Sequence, residues 1–220
     1  MSTPTPAHHD PITVRPAQRA DLPIVADLLI QLYAAELPGA LNGPMTGQQR
    51  LMRFTLEAND MQGLHRRYVA CTADGLVVAT AALEVPDEAP YARAPTGTIG
   101  AARRFIGARA TARLLLTVAQ SLIGASFQRP VDAVFIHSVV VDARQRGQGI
   151  GRTLMQAIEQ IALAQGYPAA LLQVLAANQP ARQLYRQCGY TDIWQSPSWA
   201  SLLSWPSYIM QKKLIASPHK

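Results

Sequence analysis

Apolar and polar side chains alternate over Ile12-Thr13-Val14-Arg15, which predicts a short strand. Asp21 can cap a helix that starts at Leu22-Pro23, with proline in its first turn. Leu22, Val25, Leu28, Leu29 and Leu32 then recur at helical spacing, and Pro38-Gly39 stops the pattern. A second, weaker helix runs from Thr46 to about Ala58. Two β-rich runs, Arg67–Thr72 and Leu76–Val85, flank Ala73-Asp74-Gly75 and read as a hairpin. A proline-rich loop covers 86–97. A long helical stretch follows, from about Ile99 to Phe127, which its glycines can break into two, and Pro130 ends it.

The second half is more regular. Val131–Val141 is a strong strand, and Gly147–Gly151 is a tight turn. Thr153–Gln165 is a helix with Leu154, Ala157, Ile158, Ile161 and Ala162 on its buried face, and Gly166 ends it. Ala170–Leu175 is a strand. Asn178 caps a short helix, Pro180–Gln187. Tyr190–Trp194 and Tyr208–Leu214 are strands on either side of a Trp- and Ser-rich loop at 195–207. The succession β–α–α–β–β–α–β–α–β–α–β–β predicts an α/β fold, an α+β mixed sheet with helices on both faces. We expect a disordered arm at 1–10 and one domain over 11–220.

Composition narrows this further. At 220 residues, 49% apolar and 15% charged, the chain is neither disordered nor too short for a sizeable core. The longest apolar stretch without charge, Leu114–Gln128, is shorter than the ~20 residues of a membrane span and reads as a core helix. The start is polar and proline-rich, with no signal-peptide pattern. Cys71 and Cys188 have no metal spacing, so two reduced thiols in a cytoplasmic protein are expected, with no metal.

Charge is uneven. The net charge is +6, and residues 100–152 hold eight arginines against Asp132 and Asp142. Only Lys212, Lys213 and Lys220 are lysines, so the basicity is guanidinium chemistry, suited to phosphate. Nucleic acid, a membrane surface and a small polyphosphate all remain open on this ground.

The segment Val139-Val140-Val141-Asp142-Ala143-Arg144-Gln145-Arg146-Gly147-Gln148-Gly149-Ile150-Gly151-Arg152 decides among them. Glycines between a strand and a helix let successive amides converge on an anion at the positive helix end. A Walker loop would need Lys and then Ser/Thr after the last glycine, where Arg152 stands. A dinucleotide fingerprint would need a different glycine spacing and an acidic residue near 168–172. Arg146-x-x-Gly149-x-Gly151 instead resembles the pyrophosphate motif of the GNAT superfamily of N-acetyltransferases. Asn178-x-x-Ala181-x-x-Leu184-Tyr185-x-x-x-Gly189-Tyr190 resembles its downstream motif, and Val14-Arg15-Pro16-Ala17 with Ala20-Asp21-Leu22-Pro23 its start. The resemblance is dense over 131–194, looser over 12–85 and poor over 86–128 and 195–207.

The resemblance implies acetyl-CoA (coenzyme A) bound where Val134–Val141 and Ala170–Leu175 splay apart. It implies that Arg146, Gly147, Gln148, Gly149, Ile150, Gly151 and Arg152 hold the pyrophosphate. Val139-Val140-Val141 would pair with the pantetheine arm through the Val139 and Val141 backbone, and an amide near Val139 would receive the oxyanion. Asn178 and Tyr185 would face the cofactor, although Asn178 is also an ordinary N-cap. Tyr185 is the candidate general acid for the leaving thiolate, against a merely packed tyrosine.

For the base, His137 matches a histidine position of the superfamily's arylalkylamine branch. By alternation it shares a strand face with Val139 and Val141. Glu84 is the alternative base, and a satisfied core histidine is the plain alternative for His137. Arg103, Arg104, Arg109 and Arg113 form either a substrate wall or dimer surface, or a solvated face on a packing helix. Trp194, Trp199 and Trp205 either close over an apolar amine or pack at the core edge.

The expected function is acyl-CoA-dependent N-acyl transfer, most simply of acetyl to a primary amine by direct attack in a ternary complex. A non-catalytic acyl-CoA-binding module is the alternative, and a nucleic-acid-binding protein a more remote one. The expected partners are a small-molecule amine or peptide acceptor, no nucleic acid and no membrane, with the chain a monomer or homodimer.

Overall fold

The computed structural model describes residues 11–37, 39–86, 88, 94–122, 127, 130, 132–197 and 205–214. The expected arm at 1–10, Arg129 and Trp199 lie outside the described residues. Seven strands form one mixed sheet: β1 (Thr13–Pro16), β2 (Arg67–Cys71), β3 (Val77–Glu84), β4 (Ala133–Val141), β5 (Ala169–Leu175), β6 (Thr191–Gln195) and β7 (Ser207–Lys213). Their order is β1-β2-β3-β4-β5-β7-β6. Every neighbouring pair is antiparallel except β4–β5, which is parallel.

The helices are α1 (Leu22–Glu36), α2 (Met45–Met61), α3 (Thr98–Ile106), α4 (Ala108–Leu122), α5 (Ile150–Ala164) and α6 (Gln179–Gln187). Strand alternation divides the sheet into two apolar faces. On one, Leu154, Met155 and Ile158 of α5 are buried with Val134, Ile136, Ala170 and Leu172. On the other, Val25, Leu28 and Leu29 of α1 are buried with Val69, Val77 and Val140.

Asp21 stands at the N-cap of α1, as expected, but its side chain does not cap that helix. Its carboxylate accepts two hydrogen bonds from the Arg15 guanidinium, at 2.7 and 2.9 Å, and one from the Gln18 amide at 2.8 Å. Asp21 is thereby spent on fastening the start of α1 to β1. The Arg15 hydrogen bonds hold its carboxyl below the usual range.

The long helical stretch is two helices, broken at Gly107, where φ is +85°. Gly100 lies inside α3 without breaking it. Arg103, Arg104, Arg109 and Arg113 are all exposed on the chain. α3 packs through Ala102 and Ile106, buried with Leu51 and Met52 of α2, and through its backbone. A Cβ on Gly47 of α2 would lie 2.1 Å from the Phe105 carbonyl oxygen, so the two helices approach as closely as a missing side chain allows. Helical dihedrals in α2 end at Glu57; Ala58 is extended, with ψ 154°, and Asn59, Asp60 and Met61 follow with φ of 54°, 57° and 65°.

Gly47→Ala forces α2 and α3 apart, because the clash is with backbone. Urea unfolding should show a loss of about 1–3 kcal/mol, the ordinary cost of overpacking.

Candidate active site

β4 and β5 pair only from Ala133↔Ala169 to Ile136↔Leu172. Beyond that, β5 continues against β7 through Gln173, Val174 and Leu175, and β4 continues against β3. The two strands therefore part in the middle of the sheet. The parting coincides with a β-bulge. Ala82 pairs with His137 and Thr80 with Val140, so Ser138 and Val139 together oppose Ala81. Ser138 takes the extra residue's place with φ +53°.

The bulge corrects one expectation. Alternation would put His137 on the face of Val139 and Val141. With an extra residue between them, Val139 and Val141 pack with Val134 and Ile136 on the α5 side, and Val140 joins the α1 side. His137 keeps the opposite face, where its ring stacks on Phe135 at 6.5 Å and its Nδ1 lies 3.0 Å from Ser138 Oγ.

Past the bulge, the Asp142 amide donates to the Val78 carbonyl of β3. Peptide groups alternate along a strand, so those of Val139 and Val141 face the open edge toward β5. The Val141 carbonyl accepts Arg146 Nε at 3.2 Å, which folds the following turn back on this edge. Asp142 anchors the turn. Its buried carboxylate accepts the Arg144 amide at 3.0 Å and the Arg144 guanidinium at 2.9 Å, and Arg144 holds it below the usual carboxylate range. From the α1 side, Gln31 Oε1 accepts the Ala143 amide at 3.0 Å.

The glycines of this turn serve two different needs. Gly147 and Gly149 have φ of +81° and +80°, and nothing lies within 4 Å of a Cβ on either, so backbone conformation alone requires them. Gly151 has room problems instead: its Cβ would lie 3.0 Å from Leu184 Cδ2 of α6. Gly149 caps α5, which leaves the first-turn amides at Ile150, Gly151 and Arg152 without intrahelical acceptors. Arg152 reaches the other way, donating to the Gln187 carbonyl at 2.9 Å.

At the end of β5, Asn178 Oδ1 accepts the Ala181 amide at 3.3 Å and so caps α6. Its Nδ2 lies 3.5 Å from Oε1 of Glu36, the last residue of α1. Tyr185 is 5% exposed and meets Tyr190 edge-on at 6.1 Å. Burial raises its pKa, and the Glu36 carboxylate pushes the same way. Burial also raises Glu36, against the Asn178 amide.

His137 and Glu84, alternatives at the sequence level, line one cavity of about 440 Å³. They lie on adjacent strands, with Glu84 opposite Phe135 and Ala82 opposite His137, so they are diagonal neighbours on one face. The other walls come from Asn59 and Asp60 at the end of α2, Arg67 of β2, and Glu88 beyond β3. Among the described residues no group of three or more His, Cys, Asp or Glu is placed for a metal ion, and no helix is long and apolar enough to cross a membrane. Cys71 and Cys188 are free and buried.

Residues 31–190 match the acetyltransferase (GNAT) family. The chain belongs to that family. Solved structures agree on the fold. The N-acetyltransferase of Staphylococcus aureus Mu50 is 13% identical with a TM-score of 0.62, over 91% of this chain and 100% of that one. A Salmonella typhimurium protein solved with its cofactor acetyl-CoA is 14% identical with a TM-score of 0.54, over 96% and 98%. The mouse thialysine N-ε-acetyltransferase is 34% identical over 68 residues, 31% of this chain and 40% of the mouse protein. The chain thus aligns with less than half the length of that relative.

Within this GNAT chain, the strand and turn residues expected at the site, Val139–Val141 and 146–151, lie together along one edge. Asn178 and Tyr185 gather with Glu36, while His137 and Glu84 lie on the cavity. Sequence reasoning passed over Gln31, Glu36, Ser138, Asp60 and Arg67. Only Asn59-Asp60 carried a local signal, since Asn and Asp tolerate left-handed backbone.

The two glycine roles separate in a double-mutant experiment. Gly149→Ala should cost about 1–2 kcal/mol through left-handed backbone alone. Gly151→Ala should cost less in a Leu184→Val background than in the native chain, whereas the Gly149→Ala penalty should not change; urea unfolding of the three single and two double variants against the native chain checks this.

Proposed function

We propose that this GNAT chain is an acyl-CoA-dependent N-acyltransferase that moves acetyl from acetyl-CoA to a primary amine by direct attack in a ternary complex. The observation that carries this reading is the open inner edge of β4, which begins at a bulge and ends at a glycine turn. A strand edge inside a sheet needs a partner for its amides and carbonyls, and an extended amide-bearing arm ending in pyrophosphate supplies one. The fold relative from Salmonella typhimurium is described with acetyl-CoA, and the mouse relative is named for transfer to an amine nitrogen.

Acetyl-CoA brings an acetyl group activated as a thioester. The chain's own groups do the rest. Amides of Gln148 to Gly151 and the first turn of α5 hold the pyrophosphate, with Arg146 and Arg152 adding charge. The Val139 and Val141 backbone aligns the arm, and the amide at the bulge donates to the carbonyl oxygen as it gains negative charge. His137, with Glu84 beside it, takes the proton that an ammonium must lose before it attacks. Tyr185 gives its phenolic proton to the departing sulfur. Its raised pKa keeps the phenol protonated beyond the ordinary value near 10, so no loss of rate from Tyr185 ionisation falls below that pH.

Calorimetry with acetyl-CoA and thiol release with an amine panel test the reading. Tyr185→Phe should lower kcat about 100-fold while CoA still binds. His137→Ala should remove the acidic limb of the pH–kcat/KM profile, and an unchanged limb would assign the base elsewhere. Binding without thiol release from any amine would leave a non-catalytic acyl-CoA module.

A further inference from the structure

We infer that Ser138 is a positioning residue for His137: its hydroxyl holds the imidazole by Nδ1 and so keeps the ring in one of its two orientations. This rests on the proposed reading of His137 as the base that takes the amine's proton.

Ser138 has φ +53° within β4. Of the five non-glycine residues with positive φ among those described, it alone lies inside a strand. Side chains are penalised in that conformation and glycine is not. A few residues on, the chain does use glycine for it, at Gly147 and Gly149, where nothing would touch a Cβ. A serine kept in a glycine's conformation points to a use for its side chain.

The use is at hand. Ser138 Oγ lies 3.0 Å from His137 Nδ1. A hydroxyl accepts from a protonated Nδ1 or donates to a bare one, so the bond survives either tautomer. Both residues are half-buried, which partly shields the bond from competing water. The bulge is what brings the two groups together. In a regular strand successive side chains point to opposite faces, and Ser138 Oγ would turn away from His137. With Ser138 and Val139 together opposing Ala81, the left-handed residue turns its hydroxyl toward the ring instead.

A base needs this bond because of how histidine rotates. Its χ2 profile is broad and roughly two-fold, and a half-turn about Cβ–Cγ exchanges Nδ1 with Cδ2 and Nε2 with Cε1. Carbon then stands where nitrogen must take a proton. Stacking on Phe135, at 6.5 Å with 23° between the planes, is almost indifferent to that half-turn. A hydrogen bond to Nδ1 is not.

Two substitutions separate the hydroxyl from the backbone. Ser138→Gly keeps the conformation, and with it the bulge and its amide, but removes the hydroxyl. Ser138→Ala removes the hydroxyl and leaves a side chain in the penalised conformation. Both should lower kcat/KM for thiol release about fivefold, although Ser138→Gly should unfold at higher urea than Ser138→Ala. In a His137→Ala background neither should lower the residual rate further. Native kcat/KM in Ser138→Gly, activity that follows stability across the two variants, or full additivity with His137→Ala overturns the inference. NMR gives a readout that needs no turnover, with His137→Ala assigning the ring signals. NOEs from His137 Hδ2 and Hε1 should report one ring orientation in the native chain and two in both variants; two in the native chain, or one in the variants, overturns the inference. If His137→Ala leaves thiol release unchanged, or no amine releases thiol, the reading of His137 as base falls, and the NOEs alone then uphold or overturn the hold of Ser138 on the ring.

Discussion

The parting of β4 from β5 after Ile136↔Leu172 is the constraint on which the rest of the site depends. A parallel pair buried mid-sheet would normally continue, because each unpaired backbone group there costs free energy. Here the break is confined to one edge. β5 stays bonded to β7 along its whole length, and β4 stays bonded to β3 on either side of the bulge. The sheet therefore opens without loosening either half. Peptide groups at Val139 and Val141 face that opening at fixed height, directly before the turn whose amides continue the line.

In the proposed reading, that arrangement assigns binding to backbone and leaves chemistry to side chains. The side chains of Val139, Val140 and Val141 are all consumed in packing, as is Gly151 through Leu184. The two groups proposed to handle protons lie in different surroundings. Tyr185 is buried among core residues, where desolvation favours the neutral phenol. His137 faces a polar cavity shared with Glu84. Environments that differ in this way push a donor and an acceptor of protons apart in affinity, which is what a transfer needing both requires. The same bulge makes the division possible. With regular alternation through Ser138, Val139 and Val141 would share the face of His137 instead of packing on the α5 side.

What the sequence revealed follows from what is local. The β4–turn–α5 unit and the capping of α6 by Asn178 were legible because glycine conformation and cap hydrogen bonds are settled within a few residues. The order of the elements was legible from periodicity. The bulge was not, since Ser138 looks like an ordinary strand residue and its φ is imposed by pairing with β3. Glu36 and Asp60 end α1 and α2 and look like exposed helix-end acids. Only tertiary packing brings Glu36 to Asn178, or Asp60 across from a residue 77 positions later in the chain, His137. Asp21 shows the converse: the sequence placed it correctly at a helix start, but Arg15 offers its carboxylate a stronger partner than the α1 amides do.

The net charge of +6 describes neither the glycine turn nor the cavity beside His137. The exposed arginines of α3 and α4 stand in solvent, while Arg144 is paired with Asp142 beside the glycine turn. Across β4, the cavity brings the carboxylates of Asp60, Glu84 and Glu88 together with the buried guanidinium of Arg67, so the sign of the whole chain does not describe it either. A small cavity in an arginine-rich chain is thus better judged by the ionised groups that line it, and by what pairs with each, than by the charge of the whole.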